Sequence, residues 1–234
     1  MSKIIESNIL ETLNAPTYSI AEASRLVGMK RWTVRRYLQG YEYDYAEQKT
    51  KQPPVIKSGF REETYVSFLD LIDLIFVREF LRREFGLPTL RRALDEARIW
   101  LGAPHFGQSV FFTSGADQIA LRLPEDGSMV VLLTGGQAVM PQIVEMFSNK
   151  LDFEDATKYG FARRWYPYGI DGSIVVDPEV SYGRPTLIGT SIPTNNIYDL
   201  YLGEGQKSEP VSSWFNIPIT QVQTAVQFEH SLCA

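Results

Sequence analysis

The chain has 234 residues and a net charge of −5, with 44% hydrophobic and 22% charged residues, which is the composition of an ordinary globular protein. Its single cysteine, Cys233, excludes an intramolecular disulfide framework and a cysteine metal site. No run approaches the roughly 18 apolar residues of a membrane helix, and the N-terminus lacks an apolar signal core, so we expect a cytoplasmic protein with no membrane partner.

Charge is distributed unevenly along the chain. Residues 1–100 carry 16 Lys and Arg against 14 Asp and Glu, whereas residues 101–234 carry 7 against 14. A nucleic-acid partner is therefore expected at the N-terminal part.

A pair of short helices is predicted over residues 18–40. Ser19 and Glu22 form a Ser-x-x-Glu capping box, and Gly28 ends the first helix. Apolar residues at helical spacing supply a buried seam, namely Ile20, Ala23, Leu26, Val34, Tyr37 and Leu38. The remaining residues of the second helix are basic, as expected of a helix that contacts the major groove of DNA. The predicted DNA contacts here are Lys30, Arg31, Thr33, Arg35 and Arg36.

A two-stranded wing is predicted after this helix-turn-helix. Tyr41–Tyr45 and Pro54–Lys57 fit two paired strands, with Lys49 and Lys51 in the loop between them, placed to touch the DNA backbone or minor groove. The arrangement resembles the MerR-type winged helix-turn-helix, which implies sequence-specific binding to double-stranded DNA. The alternative is that the basic residues form a merely solvated helix face.

Two longer helices are predicted next. Ser67 and Asp70 resemble another capping box, which opens a helical pattern that ends at Gly86, and Pro88 restarts a helix that runs to about Leu101. Apolar residues on more than one face require a partner surface. Dimerisation, as in MerR proteins, and core packing between domains both fit this pattern.

The middle third is predicted to be a small antiparallel sheet with one helix. Three strands, one helix and two further strands fit the pattern, at Val110–Thr113, Gln118–Leu123, Met129–Leu133, Met140–Phe147, Leu151–Glu154 and Tyr159–Tyr166.

The C-terminal stretch carries the most specific pattern. Ile174–Val176 fits a short strand, and a loop rich in Gly and Pro follows until Thr194 opens a helix. Ser208–Phe215 and Ile219–Phe228 then predict a second helix-turn-helix outline, in which Thr220 with Gln223 resembles a capping box. Its last helix has no Lys or Arg, so strong DNA binding by this pair alone is not expected.

The order of these C-terminal motifs resembles a prokaryotic domain of unknown function found in VapB-type antitoxins. The motifs are Asp177-Pro-Glu179, Gly183-Arg-Pro185 and Gly189-Thr-Ser-Ile-Pro-Thr194, and Ser191 stands where that domain usually has Lys or Arg. With His105-Phe106 and Gly135-Gly-Gln137, the resemblance extends over nearly the whole chain. It implies an antitoxin that blocks a PIN-like endoribonuclease toxin encoded beside it and represses their shared operon.

The same resemblance implies a toxin-binding surface. A PIN-type toxin has an acidic, metal-binding active site, so its partner could present cations together with apolar anchors. The candidates are Arg163, Arg164, Trp165 and Tyr166. The alternative is a strand that packs its aromatic side inward while its arginines pair with local carboxylates.

Catalytic motifs are missing from the sequence. It has no Gly-x-Ser-x-Gly elbow, no Walker loop and no His-Glu-x-x-His, and its two histidines, His105 and His230, lie far apart. His105 fits a loop or core histidine better than a ligand. We therefore predict no enzyme activity, no cofactor and no metal site, with a hydrolase built on the central sheet as a third class of function.

The sequence thus predicts an α+β protein in four parts. These are a MerR-like winged helix-turn-helix (1–66), linking or dimerising helices (67–102), a small antiparallel sheet domain (103–168) and a helix-turn-helix-like antitoxin module (169–234). The predicted function is an antitoxin and autorepressor that binds operator DNA as a homodimer. The alternative is a stand-alone MerR-like regulator that senses a small ligand through the central sheet.

Overall fold

The computed structural model describes residues 9–45, 48–57, 65–101, 105, 111–114, 118–122, 129–131, 143–144, 149–153 and 161–233. It combines helices with small antiparallel sheets, which confirms the predicted α+β class. The chain divides into two compact units, residues 1–148 with 153–162 and residues 149–152 with 163–234. No helix within the described ranges has the length and apolar character that crossing a membrane requires.

The first unit holds five helices and eight strands among its described residues. The helices are α1 (residues 9–14), α2 (Ile20–Val27), α3 (Arg31–Gln39), α4 (Phe68–Arg82) and α5 (Leu87–Leu101). The strands are β1 (Tyr18–Ser19), β2 (Tyr41–Tyr45), β3 (Gln48–Gln52), β4 (Tyr65–Val66), β5 (Phe111–Ser114), β6 (Gln118–Arg122), β7 (Met129–Val131) and β8 (Ile143–Val144). Antiparallel pairing joins β1 to β4, joins β2 to β3, and orders the rest as β7-β6-β5-β8.

The ends of α2 are those expected from the sequence. The Ser19 hydroxyl accepts a hydrogen bond from the Glu22 amide, and the Glu22 carboxylate accepts one from the Ser19 amide, so the capping box is confirmed. Gly28 takes the left-handed conformation at the C-terminus of α2. The buried Ser24 then donates its hydroxyl to the Met29 carbonyl, which braces the short turn into α3.

The pairing of the wing strands differs from the prediction. β2 pairs with β3, with Tyr41 opposite Gln52, so Lys49 and Lys51 lie within a strand and not in a loop. The predicted partner, residues 54–57, is excluded because Pro53 and Pro54 have no amide hydrogen for a strand ladder. The amides of Val55 and Ile56 instead both donate to the Tyr37 carbonyl, at 2.8 and 3.0 Å.

The buried core of the first unit is centred on α4. The Ser67–Asp70 capping box is confirmed, and every residue from Phe68 to Val77 is buried. The predicted helix at Met140–Phe147 is wrong at the two positions that are described, because Ile143 and Val144 form β8 against β5. β-Branched side chains favour strands. The rest of that segment lies outside the described residues.

The second unit has short strands and three helices. Its elements are β9 (Leu151–Phe153) and β10 (Ala162–Trp165), which pair at its boundary, then β11 (Ile174–Val175), β12 (Thr186–Leu187), α6 (Thr194–Gly203), α7 (Ser208–Phe215) and α8 (Ile219–Cys233). The apolar core is formed by Ile174, Val176, Leu187, Ile197, Val211, Val222, Ala225 and Phe228.

The start of α8 differs from the predicted capping box. The amides of Gln221 and Val222 donate to the Pro218 carbonyl, and the helix begins at Ile219. Thr220 therefore lies inside the first turn and is not the residue that caps it.

Candidate nucleic-acid interface

The solvent-facing side of α3 is cationic. Val34 is fully buried, which turns Arg31, Trp32 and Arg35 outward, and Lys30 just before the helix is exposed as well. No acidic residue lies anywhere in α3. Like charges four residues apart repel, and cations at a helix N-terminus oppose the helix dipole. The helix therefore carries an arrangement that an anionic partner would stabilise.

Arg36 is held between two aromatic rings. Its guanidinium carbon lies 3.5 Å from the ring centroid of Tyr41 and 5.3 Å from that of Trp32. Tyr41 is the first residue of β2, so this cation–π contact joins α3 to the hairpin. Of the residues predicted to touch DNA, Arg36 thus has an internal contact, while Thr33 is half-buried and Lys30, Arg31 and Arg35 face solvent.

The cations of the hairpin have carboxylates across from them. Lys49 lies opposite Asp44 and Lys51 lies opposite Glu42 in the antiparallel register, and all four residues are exposed. Directly opposed side chains on adjacent strands are close enough to interact. The hairpin therefore contributes less net positive charge than α3 does.

Trp32 is a surface feature that the sequence reasoning missed. Its side chain is 56% exposed, although tryptophan is usually well buried. The sequence does indicate this exposure, because Trp32 lies between Arg31 and Thr33 and is not part of the apolar seam of α3. An apolar residue that falls on the polar side of a predicted recognition helix is a candidate contact.

The residues predicted to bind a toxin have local partners in the second unit. Arg163 pairs with Glu179 at 2.8 Å, and Arg164 pairs with Asp177 at 2.7 Å and with Asp152 at 3.4 Å. The hydrogen bond that Arg164 donates to the Asp177 carboxylate is the main cause that raises the pKa of Arg164. Trp165 is only 5% exposed and Tyr166 is half-buried. This geometry matches the alternative of a locally paired strand, and the toxin contact stays a prediction.

A polar group in the first unit consists of the buried Asp70 and Asp73 and the half-buried His105. One nitrogen or oxygen atom from each lies within 4.8 Å of the others. The His105 Nδ1 atom is 2.8 Å from Asp73 Oδ2, and Asp70 Oδ2 accepts the Ser67 amide in the capping box of α4. His105 therefore has the internal hydrogen bond expected of a core histidine.

The last helix pair presents a different kind of surface. The only Asp, Glu, Lys or Arg in α8 is Glu229, which is buried and accepts the Thr194 hydroxyl at 2.5 Å. The outward residues of α8 are Ile219, Thr220, Gln223, Gln227, His230 and Ser231. Trp214 of α7 is 76% exposed, and Tyr182, in a left-handed turn, is 85% exposed.

The comparisons place this α+β chain beside an antitoxin-type protein. No protein-family model matches it. The protein named "Putative antitoxin VapB45" from Mycobacterium tuberculosis (strain ATCC 25618 / H37Rv) is 25% identical over 192 residues, covering 76% of this chain and 80% of that protein. The uncharacterized protein Rv2308 of the same strain is 22% identical over 233 residues, covering 95% and 94%.

A solved structure has the same fold. The X-ray crystal structure of Rv2018 from Mycobacterium tuberculosis matches with a TM-score of 0.60 and 19% identity, covering 91% of this chain and 98% of that one. The chain is thus a distant relative of an antitoxin-type protein, and its fold is one already seen in a crystal.

Proposed function

We propose that this protein is the antitoxin of a toxin–antitoxin pair, a non-enzymatic regulator that neutralises a PIN-like ribonuclease toxin and represses their operon. It binds the operator as a homodimer, with α3 in the major groove and the β2–β3 hairpin beside it. Half-sites of the inverted repeat are then about one helical turn, ~34 Å, or a multiple of it apart.

The observation that carries the DNA-binding part is the acid-free, cationic outer face of α3. Lys30 and Arg31 are exposed at the positive end of the helix dipole, and Arg35 is exposed one turn later, so phosphate is the partner that removes the repulsion. The antitoxin part is supported by the relative named for that role.

Salt dependence tests the DNA-binding part. Arg35→Ala should weaken binding to a duplex from upstream of the protein's own gene and reduce the slope of log affinity against log salt by about one. Arg92→Ala is the matched control, because it removes one exposed positive charge from α5, which is not among the predicted DNA contacts. Fluorescence anisotropy across a salt series measures both; equal slopes for the two variants would sink the DNA-binding assignment.

Co-expression tests the antitoxin part. The product of the adjacent reading frame should arrest growth alone, and this chain should restore growth and co-purify with it. If no toxicity and no complex are found while DNA binding persists, the alternative of a stand-alone MerR-like regulator takes over. Screening for ligands that change DNA affinity then follows, with the β5–β8 sheet as the sensing element.

A further inference from the structure

The exposed indole of Trp32 lies in the middle of the cationic face of α3. Arg31 precedes it, and Arg35 and Arg36 follow three and four residues later, which is one helical turn. Lys30 extends the cationic surface beyond the helix start. It is unfavourable for an apolar ring among cations to be more than half exposed to water.

The internal contact of Trp32 does not account for its position. The Arg36 guanidinium lies nearer to Tyr41, at 3.5 Å, than to Trp32, at 5.3 Å, so Tyr41 is the principal ring that holds Arg36. Over half of the Trp32 side chain still faces solvent after this contact. The ring is therefore available to a surface that the flanking cations attract.

Duplex DNA offers one apolar group on a base edge of the major groove, the 5-methyl group of thymine. Arginines that contact phosphates fix the register of a helix on the duplex but do not read sequence. An exposed apolar side chain between such arginines can supply that reading.

We propose that Trp32 is a specificity-determining residue whose indole contacts a thymine methyl group in the major groove. This inference rests on the proposed DNA-binding function. Arg31 and Arg35 then supply charge, Arg36 attaches the hairpin to α3 through Tyr41, and Trp32 distinguishes A·T from other base pairs.

A thymine-to-deoxyuridine scan of the bound duplex tests the contact without altering the protein. The probe is the upstream duplex that the full chain protects in footprinting, with one thymine at a time replaced by deoxyuridine. Wild-type affinity should fall about fourfold at one or two symmetry-related thymines, the factor that corresponds to about 0.8 kcal/mol for one buried methyl group. A flat scan would overturn the proposal.

Protein variants assign that methyl effect to Trp32. Trp32→Ala should bind thymine and deoxyuridine probes equally, while its salt slope stays that of the wild type, because no charge is removed. Trp32→Phe should keep part of the thymine preference. Persistence of the full fourfold preference in Trp32→Ala would assign the methyl contact elsewhere and refute the proposal.

The two failures are distinguishable. If the wild-type chain binds no upstream duplex better than random DNA, the proposed function itself fails. If it binds specifically but the deoxyuridine scan is flat, or is unchanged in Trp32→Ala, only the role of Trp32 fails. Circular dichroism of each variant verifies that the helices are intact.

Discussion

Arg78 connects the α2–α3 helix pair to the core of the first unit. Its Nη1 atom donates to the Val27 carbonyl at 2.6 Å, and Val27 ends α2, where carbonyls lack helical partners. Its Nη2 atom lies 2.9 Å from the Glu79 carboxylate. Burial lowers the pKa of Arg78, which the adjacent Glu79 opposes. A single side chain thus fixes the end of α2 to α4.

Arg78→Ala should reduce the unfolding free energy of the first unit by about 1.5–3 kcal/mol, the range for hydrogen bonds that involve a charged group. Arg82→Ala is the matched control, because Arg82 contacts the same Glu79 carboxylate but its side chain is 64% exposed. Exposed ion pairs contribute about 0–1 kcal/mol. Native-state hydrogen exchange of the α2 and α4 amides measures both changes, and equal losses would contradict a special role for Arg78.

At the scale of elements, the β2–β3 hairpin depends on its attachment to α3. A two-stranded hairpin alone is marginally stable in water. Here the Arg36 guanidinium packs on Tyr41, and Gly40, at a φ of 76°, lies so close to the Gln52 carbonyl oxygen that a Cβ would clash with it. The hairpin therefore leaves α3 at a fixed angle.

Arg36→Lys should loosen the hairpin, because an ammonium group cannot stack flat on a ring as a guanidinium does. The loss of about 0.5–1 kcal/mol corresponds to two- to fivefold faster exchange of the β2 and β3 amides. Arg35→Lys serves as the control, since Arg35 is exposed and has no contact with either ring among those described. Equal exchange rates in the two variants would argue against the cation–π attachment.

Features that depend on neighbouring residues were predictable from the sequence, and features that depend on contacts between distant residues were not. The ends of α2 and the start of α4 were predictable because Ser19–Glu22 and Ser67–Asp70 are signals contained within four residues. The pairing of β2 with β3 was not predicted. Pro53 and Pro54 have no amide hydrogens, which prevents the pairing of β2 with residues 54–57 that the sequence pattern indicated. The roles of Arg36 and Arg78 depend on Tyr41 and on Val27, the latter 51 residues distant, and no periodicity encodes either contact.

For the whole molecule, the two units differ in the chemistry of their surfaces. The first unit carries the cationic face of α3, whereas α8 in the second unit has no Lys or Arg. The second unit exposes Tyr182 and Trp214, at 85% and 76%, more fully than any aromatic side chain described in the first unit, where Trp32 is 56% exposed. Phosphate binding needs cations, and protein interfaces are rich in aromatic anchors. We therefore propose that the first unit binds DNA and that the second unit contacts the toxin.

The two proposed activities should therefore be separable by mutation. Arg31→Ala with Arg35→Ala should abolish operator binding and leave toxin neutralisation in the co-expression assay intact. Tyr182→Ala with Trp214→Ala should leave DNA affinity and its salt slope unchanged and weaken neutralisation, because truncating an aromatic anchor at an interface typically costs about 2 kcal/mol or more. Anisotropy and growth rescue measure the two activities on the same variants. Loss of both activities in both variants would mean that one surface binds both partners. If the aromatic variant retains neutralisation, residues 163–166 become the preferred candidate for the toxin contact.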